Sequence, residues 1–248
     1  MKINKDLEIV DGLPFLYIKS LNALVCSDLH LGYEGVMADR GTFLPKVNLS
    51  HIKEAVRNAA EMTGARKIIV DGDIKNEFST VHVEEFNEFY DFMKFLKELG
   101  MEEVILIKGN HDNFIDRLSK EPIRAMIYSQ EALIGDYLFF HGEELPQSKG
   151  GKMLIMGHVH PAISLFNKMG TKEKLKCFLK GRLNDGRGIM VVPAMNYFAE
   201  GVGVNMEDVG EMAPIFKKML NVNSMRALCI GEGEILDFGT IKQLSLLR

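Results

Sequence analysis

Ile105-Leu106-Ile107-Lys108-Gly109-Asn110-His111-Asp112 is the stretch on which the reading of the chain turns. Its first half is a short apolar run, the pattern of a strand buried on both faces. Its second half stops that strand with a glycine and three polar residues. Gly109 accepts backbone dihedrals that other residues avoid, so the chain can turn sharply there. Asn110, His111 and Asp112 then follow the strand's carboxyl end, which is where ligands bind in open α/β sheets.

Upstream the same design occurs twice. Leu21–Cys26 runs into Ser27-Asp28-Leu29-His30, and Lys67–Val70 runs into Asp71-Gly72-Asp73. On extended backbone, Asp28 and His30 would point the same way and share one metal. Helical patterns separate the strands. Leu49, Ile52, Val56 and Ala59 predict a helix over 48–63, capped by Asn48 or Ser50 and stopped at Gly64. Val83, Phe86, Phe89, Tyr90, Met93 and Leu96 predict another over 81–99, with Phe86, Phe89 and Met93 as its core stripe and His82 on the surface. Strand, helix, strand, helix, strand predicts a parallel sheet joined by right-handed crossovers. Before it, Leu7–Val10, Asp11-Gly12 and Phe15–Ile18 read as a hairpin. Residues 31–47 read as a functional loop, with Tyr33, Glu34 and Arg40 as candidate substrate contacts.

Downstream, a short helix is expected within 114–134. Asp136–Phe140 ends in His141-Gly142, and Lys152–Met156 ends in Gly157-His158-Val159-His160. The rest turns β-rich: Ala162–Phe166, Lys176–Leu179, Gly188–Val192, Ala227–Ile230 and Ile235–Phe238 all read as strands. Met195–Val204 reads as a loop that offers Asn196 and Tyr197 as further site candidates, and Ala213–Leu220 as a short helix. Without repeats or linker composition, residues 1–248 read as a single domain.

Composition narrows the class. A formal net charge of −4 argues against a generic nucleic-acid coat protein, though not against a local basic cleft. The cysteines, Cys26, Cys177 and Cys229, form no C-x-x-C pair, which suits buried thiols in a reducing cytoplasm. No apolar run reaches the roughly 18 residues a membrane span needs, and the N-terminus lacks a signal-peptide core. The expected setting is cytoplasmic, with no membrane partner.

Collected, the strand-end residues are Asp28, His30, Asp73, Asn110, His111, His141, His158 and His160. Five of the seven histidines lie at such junctions; His51 and His82 do not. Core packing gives no reason to stop strand after strand with metal-type ligands. The set mixes carboxylate, amide and imidazole without thiolate. That suits manganese first, with iron, zinc or nickel as alternatives, over calcium or copper(I). Eight residues exceed one tetrahedral site and suit two divalent metal ions roughly 3.5–4 Å apart.

Asp28-Leu29-His30, Gly72-Asp73, Gly109-Asn110-His111-Asp112, His141 and Gly157-His158-Val159-His160 stand in the order of the motifs of the calcineurin-like metallophosphoesterase superfamily, which the chain resembles. The resemblance implies a four-layer α/β-β/α sandwich. It implies one metal on Asp28, His30 and His160, another on Asn110, His141 and His158, and Asp73 bridging them. It gives His111 to the phosphate and leaving group, oriented by Asp112. An imidazole with a pKa of roughly 6.5, raised by a neighbouring carboxylate, suits protonation of a departing oxygen. The implied chemistry is attack of a metal-activated hydroxide on phosphorus.

Ser27–Glu34 and Gly157–Pro161 further resemble archaeal and bacterial phosphoesterases related to the SbcD-type nuclease subunit. That favours a phosphodiester substrate: DNA, RNA or a nucleotide. The alternatives are a phosphomonoesterase of the same fold and a non-catalytic scaffold. A scaffold would be expected to have lost ligands, and none is missing. Gly72-Asp73-Ile74-Lys75-Asn76-Glu77-Phe78 lacks the arginine of phosphoprotein phosphatases. About 88 residues follow His160, too few for the DNA-capping domain of the repair nucleases, which argues against duplex-end processing with a partner ATPase. The resemblance also allows a homodimer. Finally, Lys168, Lys172, Lys174, Lys176, Lys180, Arg182 and Arg187 form a basic stretch that either steers nucleic acid or is a solvated hairpin.

Overall fold

Strands that alternate between two apolar environments create the layering. In a computed structural model that describes residues 1–117, 125–166 and 169–246, six strands form one sheet in chain order. They are β1 (Leu7–Ile9), β2 (Leu16–Ile18), β3 (Ala23–Cys26), β4 (Lys67–Asp71), β5 (Glu103–Ile107) and β6 (Met126–Tyr128). The first three run antiparallel and β3 to β6 run parallel, with Val25 opposite Ile69 and Ile69 opposite Ile105. Leu24, Cys26, Ile68, Val70, Val104 and Leu106 face one cluster, which they share with helices α2 (Asn48–Thr63) and α3 (Val83–Glu98); a further helix, α1 (Tyr33–Asp39), precedes them in the chain. Val25, Ile69, Ile105 and Ile107, one residue out of phase, face another. A sheet covered on both faces needs near-continuous apolar strands, and these have them.

The second sheet has nine strands among the described residues. They are β7 (Glu131–Ile134), β8 (Tyr137–Phe140), β9 (Met153–Met156), β10 (Pro161–Phe166), β11 (Lys172–Arg182), β12 (Gly188–Val191), β13 (Val202–Gly203), β14 (Arg226–Ile230) and β15 (Ile235–Thr240). Phe139, Ile155, Phe178, Met190 and Leu228 pack onto the first sheet's inner face. Leu154, Met156, Ile189 and Val191 face outward to α4 (Pro214–Lys218) and α5 (Ile241–Ser245). Helix, sheet, sheet and helix layers result, the expected α/β-β/α sandwich.

Several local expectations change. Residues 31–47 contain α1, which begins after Gly32 at φ 77° and carries Gly35 at its centre. A Cβ on Gly35 would lie 2.5 Å from Glu84 Cγ, so contact with α3 replaces the propensity this helix lacks. On α3, Phe89 and Met93 are buried but Phe86 is 49% exposed. The inward residue is Glu85, whose carboxylate accepts the N–H of Asn76 at 2.9 Å and closes a capping box with His82. His82 is therefore a helix cap rather than an idle surface group. Of the stretch 114–134, where a short helix is expected, the described residues form a 3₁₀ turn at Ile115–Arg117 and strands β6 and β7, and 118–124 lie outside the described residues. The Met195–Val204 loop ends in β13, and α5 had no legible period.

Candidate metal centre

The two sheets pack face to face, and the loops leaving β3, β4, β5, β8 and β9 converge at one end of them. Past β3 the chain stays aligned with its neighbour: Asp28 N–H donates to the Gly72 carbonyl at 3.0 Å and His30 N–H to that of Asp73 at 3.0 Å. The backbone there is not extended, contrary to expectation. Asp28 and His30 have φ of 57° and 45°, and Asp73, His158 and His160 have 49°, 68° and 47°. Asn22 and Phe114 are the only other non-glycine residues described with positive φ. Such conformations cost of order 1 kcal/mol or more each and gather where function requires them.

The side chains form two candidate metal-binding groups. Ligand atoms of Asp28, His30 and His160 lie within 4.8 Å of one another, as do those of Asp73, His141 and His158. Asp28 Oδ1 is 3.0 Å from His160 Nε2 and 3.8 Å from His141 Nε2. Asp73 Oδ2 is 3.2 Å from His141 Nε2 and 3.9 Å from each of His30 Nε2 and His111 Nε2. Asp73 thus reaches both groups. Asn110 Oδ1 and His141 Nε2 are buried without a hydrogen-bond partner, though His141 lies so near Asp73. His30 Nε2 and His160 Nε2 face each other at 3.4 Å. Carboxylate, amide and imidazole ligand atoms crowded this closely, two of them buried without a hydrogen-bond partner, fit divalent cations.

Electrostatics agree with that fit. Burial favours neutral imidazole at His30, against the pull of Asp73, and takes its pKa down to about 4. Neutral imidazole is the form that ligates. Burial opposes charge on Asp28, yet His160 and then His141 hold its pKa below the usual range. Asp73 is likewise buried and is held low by His141, then His30. His141 Nδ1–H donates to the Asp71 carbonyl at 2.9 Å, which leaves its Nε2 lone pair facing inward.

Glycines admit this crowding. A Cβ on Gly157 would stand 1.7 Å from Ser27 Oγ and 2.7 Å from Asp28 Oδ2. One on Gly72 would meet His141 Nδ1 at 2.1 Å. A Gly157→Ala protein is expected to melt roughly 5–10 °C below the parent, because overpacking costs about 1–3 kcal/mol. Differential scanning calorimetry reads it; an unchanged melting temperature would contradict so tight an approach.

His111 stands at the open side, its side chain 30% exposed against 0% for Asp28 and His141. Its Nδ1–H donates to the Asn76 carbonyl at 2.5 Å, and its backbone N–H to Asp73 Oδ1 at 3.0 Å. Among the described residues no direct hydrogen bond joins the Asp112 carboxylate to the His111 ring. The Asp112 carboxylate instead accepts the N–H groups of Ile74, Lys75 and Gly109 at 2.9, 3.1 and 2.9 Å, which ties the β4 and β5 loops together. Burial, then repulsion from Asp73, lifts its pKa to about 7.

Other sequence candidates are repositioned. Glu34 is buried and accepts the N–H of Val47 and Asn48 at 2.9 and 2.8 Å, so it caps α2 from a distance. Asn48, expected as that cap, donates to the Leu29 carbonyl at 3.1 Å and braces the turn between Asp28 and His30. Arg40 pairs with Glu77 on the surface. In the basic stretch, Lys174 and Lys176 donate to carbonyls of Gly201, Ala194 and Asn196, and Arg187 to that of Gly150. Those four bonds build structure rather than an open cationic patch; Lys168 lies outside the described residues. The Asn76 carbonyl as the partner of His111 was not legible beforehand, because a backbone oxygen leaves no residue signature.

Carboxylate and imidazole gathered at the carboxyl ends of strands from two facing sheets make this a metallophosphoesterase architecture. Residues 21–179 match the calcineurin-like phosphoesterase family, and the chain belongs to it. The match spans every candidate ligand. Among solved structures, the nuclease MPE of Pseudomonas putida superposes with a TM-score of 0.59 at 17% identity, over 91% of this chain and 93% of that one. The phosphoesterase Yfce of E. coli gives 0.41 at 17% identity, over 88% and 98%. At such identities the first likeness is one of fold. No curated protein matches the chain in sequence. Family members use divalent metals to hydrolyse phosphoesters, and no helix among the described residues is long and apolar enough to cross a membrane.

Proposed function

We propose that the protein is a dinuclear metal-dependent phosphodiesterase acting on nucleic acid or nucleotides, of the SbcD-related kind, in a reducing cytoplasm. The observation that carries this reading is Asp73 Oδ2 placed between the two candidate groups, with His111 beside it on the open side. Asp28, His30 and His160 would hold one cation; His141, His158 and Asn110 the other; Asp73 would serve both. Two cations held there would supply neutralisation of phosphoryl charge and the acidification of water. Manganese suits the mixed oxygen and nitrogen donors best, with iron, zinc or nickel as alternatives.

The chain's own part is positioning and proton supply. Asn76 fixes the His111 ring so that Nε2 faces the centre. From there, protonated Nε2 donates to the departing oxygen. Cys26, Cys177 and Cys229, all buried free thiols, suit the proposed compartment.

The test is stripped protein reloaded in turn with manganese, iron, zinc, nickel or magnesium. Each form is offered bis(4-nitrophenyl) phosphate, 4-nitrophenyl phosphate and single-stranded DNA. The manganese form should turn over the diester faster than the monoester and cut the DNA. The reverse ranking would make it a monoesterase. No turnover with both metals bound would make it a scaffold.

A further inference from the structure

Tyr197 sits on a loop, next to Asn196, whose backbone N–H bonds the carbonyl of the candidate ligand Asp28. That loop leaves β12 and returns through β13. Asn196 N–H donates to the Asp28 carbonyl at 3.0 Å, and Val202 N–H to that of His160 at 2.8 Å. The segment is therefore tied at both ends to the backbone of residues in the group formed by Asp28, His30 and His160. Buried Asn196 donates to the Leu29 carbonyl and accepts the N–H of Phe198 and Ala199. Asn48 Oδ1 accepts Tyr197 N–H at 2.8 Å, and Lys176 holds the carbonyls of Ala194 and Asn196. Asn48, Lys176 and Asn196 thus bind the loop backbone, and Asn196 also ties it to the turn at Leu29.

What this scaffold holds rigid is an aromatic ring that the fold does not bury. Tyr197 is 53% exposed. One face lies parallel on His51, with centroids 4.2 Å apart and planes 4° apart, and the edge of Phe198 closes one side at 5.2 Å. Phe198 is in turn stacked on Tyr33 at 5.6 Å. The Tyr197 ring also lines a surface groove with Lys172, Lys174 and Glu200. A buried ring would need no such support, and an idle surface ring would not receive it.

We propose that Tyr197 is a stacking platform for an unpaired nucleobase of the substrate, next to the phosphodiester at the metal centre. The proposal rests on the phosphodiesterase reading above and narrows it to single-stranded nucleic acid or nucleotides. Stacking asks only for a flat π-face, so every base satisfies it, at about 1–3 kcal/mol per base. A base inside a duplex has both faces covered and must leave the stack first. His51 beneath the ring fixes its tilt, so little side-chain freedom is lost on binding.

The experiment compares kcat/KM of the manganese-loaded full chain on a single-stranded oligonucleotide and on a strand of equal length made of abasic nucleotides. It is run with the parent, Tyr197→Ala and Tyr197→Phe, and a fully paired duplex is included. The parent should favour the base-bearing strand by about tenfold, within the range that stacking allows. Tyr197→Ala should bring that ratio close to one, Tyr197→Phe should keep it, and the duplex should react no better than the abasic strand. A loss of folded protein cancels in the ratio. The proposal is overturned if Tyr197→Ala keeps the ratio, if Tyr197→Phe loses it, or if the parent shows no preference. If the parent hydrolyses neither strand nor bis(4-nitrophenyl) phosphate, the phosphodiesterase reading itself fails.

Discussion

Asp73→Asn is expected to lower turnover about a thousandfold or more, the rate equivalent of the several kcal/mol a metal pair contributes. The substitution is nearly isosteric. It keeps an oxygen for the His111 N–H, which now donates to Oδ1 at 3.0 Å, so the fold should persist. What it removes is the charge on the one carboxylate within 3.9 Å of His30, His111 and His141 together. It can also turn an amide N–H toward the ring nitrogens of His30 and His141 that would hold a cation. Metal content by mass spectrometry should fall by at least half, with the far-ultraviolet circular dichroism spectrum unchanged. Two metals per chain together with parental turnover would show that Asp73 does not serve both groups.

His111→Asn should do something different. Removing a positioned general acid costs roughly 10²–10⁴-fold in rate. The loss depends on the leaving group. A nucleoside alkoxide needs its proton; 4-nitrophenolate leaves without one. Turnover of DNA should therefore fall by about two orders of magnitude or more, while that of bis(4-nitrophenyl) phosphate falls less than about tenfold. Metal content should not change, since His111 belongs to neither candidate group. Equal losses on both substrates would assign His111 to phosphate binding instead of proton transfer.

The two variants separate what was legible in the sequence from what was not. The strand ends were legible, because apolar runs buried on both faces stop abruptly at polar residues. Asp28, His30, Asp73, His141, His158 and His160 all arrive in one place on that signal alone. The reason first offered for Asp28 and His30 fails, since two left-handed residues replace the extended backbone. Asp112 illustrates the same limit: a carboxylate after a histidine suggests a partner, but three backbone N–H groups claim it first. Phe86 was misread because a helical period admits two neighbouring faces, and the Glu85 capping box selects between them. Helix α1 was missed because seven residues around Gly35 carry no period. Long-range capping by Glu34 and the Asn76 carbonyl belong to tertiary structure alone.

Each candidate group draws on both sheets. Asp28 and His30 follow β3 and His160 follows β9; Asp73 follows β4, while His141 and His158 follow β8 and β9. During synthesis the first sheet's donors emerge before any histidine of the second. A nascent chain that ends before β9 offers only fragments of each set and has no high-affinity place for a cation. Uptake of metal would therefore be a late event in maturation, favouring chains whose halves have already docked. Ligand binding of this kind stabilises the assembled state by mass action. An added cation should accordingly slow the separation of the two sheets far more than it speeds their meeting, and metal content becomes a record of which molecules finished folding.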